Sequence, residues 1–243
     1  MRVIRLFIDA PLVAGSEISL PADAAHHLVS VLRAKPGQAL ALFNNTGIEA
    51  QAQLVAVDKR KAVACLDDVR SVDLESPLAV QLAIGISRGE RFEHVLQKST
   101  ELGVARITPL WCERTEVRLP PDRLEKKQQH WQKILESACE QCGRNRVPQL
   151  DAPVSLPDLL THATAPYRLV LQPGGDRLPF GGLPKPTALL LLVGPEGGLS
   201  DAEVDQALAA GYRSWTLGPR ILRTETAPLA ALSVLQYLWG DFS

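Results

Sequence analysis

Two apolar, strand-like runs, Ala188 to Val193 and Ser214 to Leu217, each lead straight into a glycine-rich loop, and this repeated arrangement limits the fold more than anything else in the 243 residues. The loops read Gly194-Pro195-Glu196-Gly197-Gly198-Leu199-Ser200 and Leu217-Gly218-Pro219-Arg220-Ile221-Leu222-Arg223-Thr224-Glu225-Thr226. A loop that follows such a run leaves the carboxyl end of a sheet, where open α/β proteins bind ligands. Glycine there lets main chain approach a ligand with no side chain in between. Both loops are therefore expected to form the site.

The chain around them divides by texture. Up to about Val69 it holds short strand patterns, Val3 to Ile8, Glu17 to Leu20, Leu40 to Phe43, Ile48 to Val57 and Val63 to Leu66, with one helix, Ala22 to Leu32, after Pro21. Asn44-Asn45-Thr46-Gly47 suits a hairpin turn, because Asn and Gly tolerate positive φ. That content predicts a small barrel-like β-domain over residues 1–72 with no catalytic motif of its own. His26-His27 reads as the partly buried face of its helix. Ser71 to Pro77 lacks apolar periodicity and reads as a linker, which puts the boundary near residue 73.

From 73 to 243 strand and helix alternate. Leu78 to Ile86 is an apolar strand, and the helix Glu90 to Leu102 lines up Phe92, Val95, Leu96 and Ser99 before Gly103 stops it. Arg106 to Leu110 is a strand; the helix Asp122 to Cys142 gathers Leu124, Trp131, Ile134, Leu135, Ala138 and Cys142 on one side. Tyr167 to Gln172 is another strand. Ser200-Asp201-Ala202-Glu203 fits a capping box, and a last helix from Thr226 is expected to bury Leu229, Leu232, Leu235 and Leu238, with Pro228 tolerated in its first turn. Such alternation predicts an α/β fold with a mostly parallel sheet and helices on both faces.

Composition removes several classes. The hydrophobic fraction of 46% and net charge of −1 suit a soluble globular protein. The longest apolar run falls far short of the roughly 20 residues that span a bilayer. The N-terminus lacks the apolar middle of a signal peptide, so a cytoplasmic protein is expected. Cys139 and Cys142 have C-x-x-C spacing but neither a second pair nor a nearby histidine, so free thiols are expected and no metal is assigned. Residues 88–146 carry 12 Lys and Arg against 9 Asp and Glu, and residues 147–243 carry 6 against 9. A basic middle beside an acidic end hints at a polyanion partner. No G-x-G-x-x-G occurs, and the Gly194 loop has no P-loop lysine. G-x-S-x-G and H-E-x-x-H are also absent.

The wording of the two loops resembles the signature of the bacterial small-subunit (16S) ribosomal-RNA uridine N3-methyltransferases, the RsmE family of the SPOUT superfamily. Ser87-Arg88-Gly89-Glu90, Gln97 to Val104, Ile107-Thr108-Pro109 and Ala138 to Pro148 are similar to further family blocks, and Val31-Leu32-Arg33 with Pro36-Gly37 and Leu42-Phe43 is similar to the family's PUA-like domain. Ala227 stands where some relatives carry a small polar residue. The resemblance implies an S-adenosylmethionine-dependent enzyme that works as a homodimer, with a C-terminal SPOUT domain tied in a deep trefoil knot. It implies a cofactor site on three loops: Leu171, Gln172 and Pro173; Gly194, Pro195, Glu196, Gly197 and Gly198; and Leu217, Gly218, Ile221, Leu222, Thr224 and Thr226. Leu217, Ile221 and Leu222 would supply apolar walls.

The reaction it implies is methyl transfer to a uracil nitrogen that must lose a proton. The site needs in-line positioning, a path for the proton and positive charge for the developing anion. Arg223 is assigned the electrostatic role, and Glu196 or Glu225 either accepts the proton or holds Arg223. For RNA grip the candidates are Arg2, Arg5 and Arg33 in the small domain and Arg88, Lys98, Arg114, Arg144, Arg146 and Arg220 in the larger one. The expected partner is 16S rRNA within the small ribosomal subunit. The competing readings are a ribose 2′-O-methyltransferase on tRNA or rRNA and a non-catalytic RNA-binding dimer.

Overall fold

The computed structural model describes residues 3–58, 61–117, 120–177 and 184–242. Its α-carbon contacts separate two units, Met1–Glu75 with Glu136–Val147, and Ser76–Leu135 with Pro148–Ser243.

The first unit is built on β1 (Ile4–Phe7), β2 (Glu17–Leu20), β3 (Ala39–Phe43), β4 (Ile48–Asp58) and β5 (Lys61–Ser71), in the order β1-β3-β4-β5-β2. Only the β1–β3 pair is parallel; the others are antiparallel. Alternate residues point inward, so Leu40, Leu42, Ala50, Ala52, Leu54, Ala64 and Leu66 form one core, closed by Leu28 and Ala25 from the helical segment. That segment is a short α1 (Ala22–His26) that widens into a π-helical turn, His27–Val31, and both His26 and His27 are exposed rather than partly buried.

Residues Glu136–Val147 cluster with this unit, which a boundary near 73 does not anticipate. The cause is polar. Phe7 N donates to Glu140 Oε1 at 3.0 Å, Val147 N donates to Asn45 Oδ1 at 2.6 Å, and Arg5 Nη2 donates to Gly143 O at 2.9 Å and Asn145 Oδ1 at 2.7 Å.

The second unit holds seven strands: β6 (Ala79–Gly85), β7 (Val104–Trp111), β8 (Gln149–Leu150), β9 (Val154–Ser155), β10 (Tyr167–Leu171), β11 (Ala188–Val193) and β12 (Arg213–Trp215). They pair in the order β12-β10-β11-β6-β7-β8, with β9 also on β7, and every pairing is parallel. A parallel sheet covered on both faces needs strands apolar throughout. Leu189 to Val193 are accordingly all buried. The helices are α2 (Glu90–Glu101), α3 (Pro121–Cys142), α4 (Leu156–His162), α5 (Asp201–Ala209) and α6 (Thr226–Trp239).

Helix α2 buries Phe92, Val95, Leu96 and Ser99 as its periodicity requires, with Thr100 added. In α3 Trp131, Leu135, Ala138 and Cys139 are buried, while Ile134 and Cys142 are only partly so. Helix α5 starts on the expected capping box of Ser200 and Glu203. Helix α6 departs from expectation: Leu232 and Leu235 are buried with Ala231 and Gln236, but Leu229 is half-buried and Leu238 is 44% exposed. The burial that an all-leucine stripe would supply comes instead from Gln236, whose Oε1 accepts from Ser76 Oγ at 2.6 Å and whose Nε2 donates to Leu102 O at 2.9 Å.

Among the described residues, no helix is long and apolar enough to cross a membrane.

Candidate functional site

Because β12, β10 and β11 are parallel neighbours, their carboxyl ends emerge side by side. The three segments that follow, Leu171-Gln172-Pro173, Gly194 to Leu199 and Thr216 to Thr224, meet around one cavity of about 590 Å³. That volume suits a small-molecule ligand. Its inner wall is apolar, formed by the buried Val193 and Trp215 with Leu217 and Leu222. Two hydrogen bonds fix the frame: Gln172 Nε2 donates to Ser214 Oγ at 2.7 Å beneath the cavity, and Thr224 Oγ1 donates to Gly194 O at 3.0 Å across it. Among the described residues, the backbone N–H groups of Leu217, Gly218, Ile221 and Leu222 make no hydrogen bond within the protein. Main-chain donors without a partner beside an apolar wall are what a ring with polar edges requires.

Of the residues expected to contact cofactor, Leu171, Gln172, Pro173, Gly194, Pro195, Glu196, Gly197, Gly198, Leu217, Ile221, Leu222 and Thr224 line this cavity. Gly218 and Thr226 belong to the same loop but are not in the lining. Ile221 is no inner wall, since it is 84% exposed. Asp201, Val204, Thr216 and Ala227 also line the cavity, as does Arg114. Sequence reading passed over Asp201 and Val204 because they look like ordinary α5 positions. The capping box that starts α5 beside the Gly194 loop was the available signal.

The charged candidates divide. Arg223 lines the cavity and is exposed, 4.0 Å from Glu225 Oε1. Glu225 stands at the N-cap of α6, outside the lining. Glu196 does line the cavity, and its Oε1 accepts from Arg88 N at 2.8 Å and lies 3.7 Å from Arg91 Nη1. Arg220 is exposed at the rim. Arg33 and Arg146 are exposed as well. Arg88 is exposed but pairs with Glu116 at 3.1 Å, and Lys98 pairs with Glu101 at 2.8 Å.

Two RNA-grip candidates are structural. Arg144 is 4% exposed and held by Glu75, with Nε to Oε1 at 3.1 Å, and Arg5 pairs with the buried Glu49. The Arg144 guanidinium, buried against its carboxylate, has little surface to offer a phosphate, and the half-buried Arg5 spends its donors on Glu49, Gly143 O and Asn145 Oδ1. Arg2 lies outside the described residues. The exposed end of Arg114 is likewise engaged with protein, at Gly197 O and Leu199 O.

Cys112, at the exit of β7, is no nucleophile: burial, then the neighbouring Glu203 carboxylate, pushes its thiol up to about 12. All four cysteines are free, and among the described residues no group of His, Cys, Asp and Glu could hold a metal ion.

Two family models place the chain among the RNA methyltransferases: that of the RNA methyltransferase domain matches residues 74–236, and that of the RNA methyltransferase PUA domain matches residues 20–64. The ribosomal RNA small subunit methyltransferase E of Buchnera aphidicola from Schizaphis graminum is 35% identical over 244 residues, covering 100% of this chain and 99% of the relative. Among solved structures, the ribosomal RNA small subunit methyltransferase E of Neisseria gonorrhoeae bound to S-adenosyl methionine superposes with a TM-score of 0.92 at 39% identity. A Legionella pneumophila protein in complex with the bound cofactor SAM superposes with a TM-score of 0.96 at 41% identity; each covers 100% of both chains. The chain belongs to the ribosomal RNA small subunit methyltransferase E family.

Proposed function

We propose that this protein transfers the methyl group of S-adenosylmethionine to N3 of one uridine in 16S rRNA near the decoding site, acting in the cytoplasm on the small ribosomal subunit. The observation that carries the reading is the cavity at three adjacent strand exits, walled by Val193, Trp215, Leu217 and Leu222 and edged by main-chain donors that make no bond among the described residues. These residues fit the cofactor. Val193, Trp215, Leu217 and Leu222 would hold its apolar faces, and the N–H groups of the Leu217 to Leu222 loop would be available to its polar edges. Bound S-adenosylmethionine supplies the electrophilic methyl.

The rest falls to the chain. Arg223, exposed at the rim, stabilises the negative charge that develops on the uracil as N3 loses its proton. Glu225, at 4.0 Å, orients the Arg223 guanidinium. Glu196 lines the cavity, keeps Oε1 on Arg88 N, and takes the N3 proton on Oε2. Arg220 sits beside the target, and Arg33 and Arg146 contact phosphates from the β unit.

Two further features belong to the same reading. The two glycine loops thread in a deep trefoil knot, supported by the Thr224–Gly194 link and by Pro195 N standing where a side chain on Gly85 would begin. Only glycine tolerates main chain passing that close. The protein is a homodimer, supported by the stripe of Val234, Tyr237, Leu238 and Phe242 that α6 and its end leave exposed.

Small subunits lacking the modification, incubated with radiolabelled S-adenosylmethionine and the protein, are expected to gain label on one uridine. Nucleoside mass spectrometry then places the methyl on the base. Label on a ribose would replace this reading with a 2′-O-methyltransferase, and no transfer to any RNA would leave a binding protein.

A further inference from the structure

The exit of β7 grips the Gly194 loop at the edge of the cavity. After β7 the chain turns tightly, with Thr115 N donating to Cys112 O and Cys112 N to Thr115 Oγ1, both at 3.0 Å. From that turn Arg114 Nη1 reaches two carbonyl oxygens of the loop, Gly197 at 3.1 Å and Leu199 at 3.2 Å. Its stem packs as closely, with Cβ 3.0 Å from the point where a side chain on Gly197 would start. One residue earlier, Glu113 N donates to Glu203 Oε1 at 2.8 Å, and Oε2 of that carboxylate accepts from Ser200 N at 2.8 Å. The β7 exit thus fixes the loop at its middle and at its end.

We infer that Arg114 is a positioning residue for the cofactor loop and not an RNA contact. One cation accepted by two neutral carbonyls holds the Gly197 and Leu199 peptide units in fixed orientations, and with Gly198 N on Pro195 O at 2.9 Å this gives the cavity its shape before ligand arrives. Pre-organisation of that kind strengthens ligand binding by removing an ordering cost. The guanidinium is exposed, as a phosphate-binding arginine would be, but its direction is toward its own main chain. The inference rests on the proposed binding of S-adenosylmethionine.

Its test is calorimetric titration of S-adenosylmethionine into the wild-type chain and the Arg114→Ala, Arg114→Met and Arg114→Lys variants. Melting of the cofactor-free proteins and the salt dependence of binding to 16S rRNA are measured alongside. Ala and Met are expected to weaken cofactor binding about tenfold, the scale of a lost charge-assisted hydrogen bond, and Lys to recover part of it. Melting and the RNA salt slope are expected to match wild type. Unchanged cofactor affinity in Ala and Met overturns the inference, and a salt slope reduced by about one would instead make Arg114 a phosphate contact. Melting that falls in step with affinity in all three variants, Lys included, overturns it in favour of a general brace. A wild-type chain that does not bind S-adenosylmethionine sinks the proposed function itself.

Discussion

The β unit and the cavity rim use the same residue type in opposite ways. In the β unit Arg5 and Arg144 are turned inward against Glu49 and Glu75, and a second cation, Arg70, bonds Glu49 Oε1 at 2.9 Å. At the rim Arg220 and Arg223 stand in solvent, the latter within 4.0 Å of only a half-buried carboxylate. Arginines of the first kind are committed to a carboxylate of the protein itself; those of the second keep donors available for something that arrives. Sequence distance from a glycine loop does not separate the two kinds. Burial does.

The contrast can be broken at either end. The largest effect is expected from Arg223→Ala, with kcat down about 100- to 1000-fold, the cost of one lost oxyanion donor, and cofactor affinity retained. Single-turnover methylation together with calorimetry reads both, and normal turnover would end the assigned role. Next comes Glu49→Ala, which leaves Arg5 half-buried without its carboxylate and is expected to cost about 3 kcal/mol in urea unfolding. Burial alone would raise the Glu49 pKa, but the hydrogen bonds and charges of Arg70 and Arg5 outweigh it and hold the carboxyl below its ordinary value of 4.5. The stabilisation is therefore complete above that value and disappears as pH falls through the lower folded one, so the wild-type advantage over Glu49→Ala should vanish in acid. Loss of RNA affinity with no loss of stability would move this cluster to the surface class. The smallest effect is expected from Arg33→Ala or Arg146→Ala: normal folding, with the salt slope of rRNA binding reduced by about one for each phosphate no longer neutralised.

Much of this was legible in the chain. The apolar run ending in the Gly194 loop is β11, apolar as a central parallel strand must be, while β12 is an edge strand whose Arg213 is exposed and Trp215 buried; both end at the cavity. The buried face of α2 followed from spacing, and the start of α5 from its capping box. What the sequence could not show was which polar residues fold back on the protein. Gln236 looks like a surface position beside three leucines, yet it is buried while Leu238 is not. Arg144 sits in a basic cluster, yet it is sealed by Glu75, 69 positions away along the chain. The short β8, β9 and α4 have no counterpart in the sequence pattern, because two-residue strands carry no period and α4 is a seven-residue helix whose cap shows only in Ser155 Oγ accepting from Asp158 N.

The bonds from Gln236 to Ser76 and Leu102 tie α6 to the start of β6 and the end of α2. Helix α6 is the last to be synthesised, and it supplies the partner for groups placed at the beginning of its unit. A nascent polypeptide that has already made β6, α2 and β7 lacks both of these links until α6 follows. A chain cut short before α6 loses this closing fastener, so messages with a stop codon ahead of that helix should yield protein that is degraded rather than protein that methylates poorly.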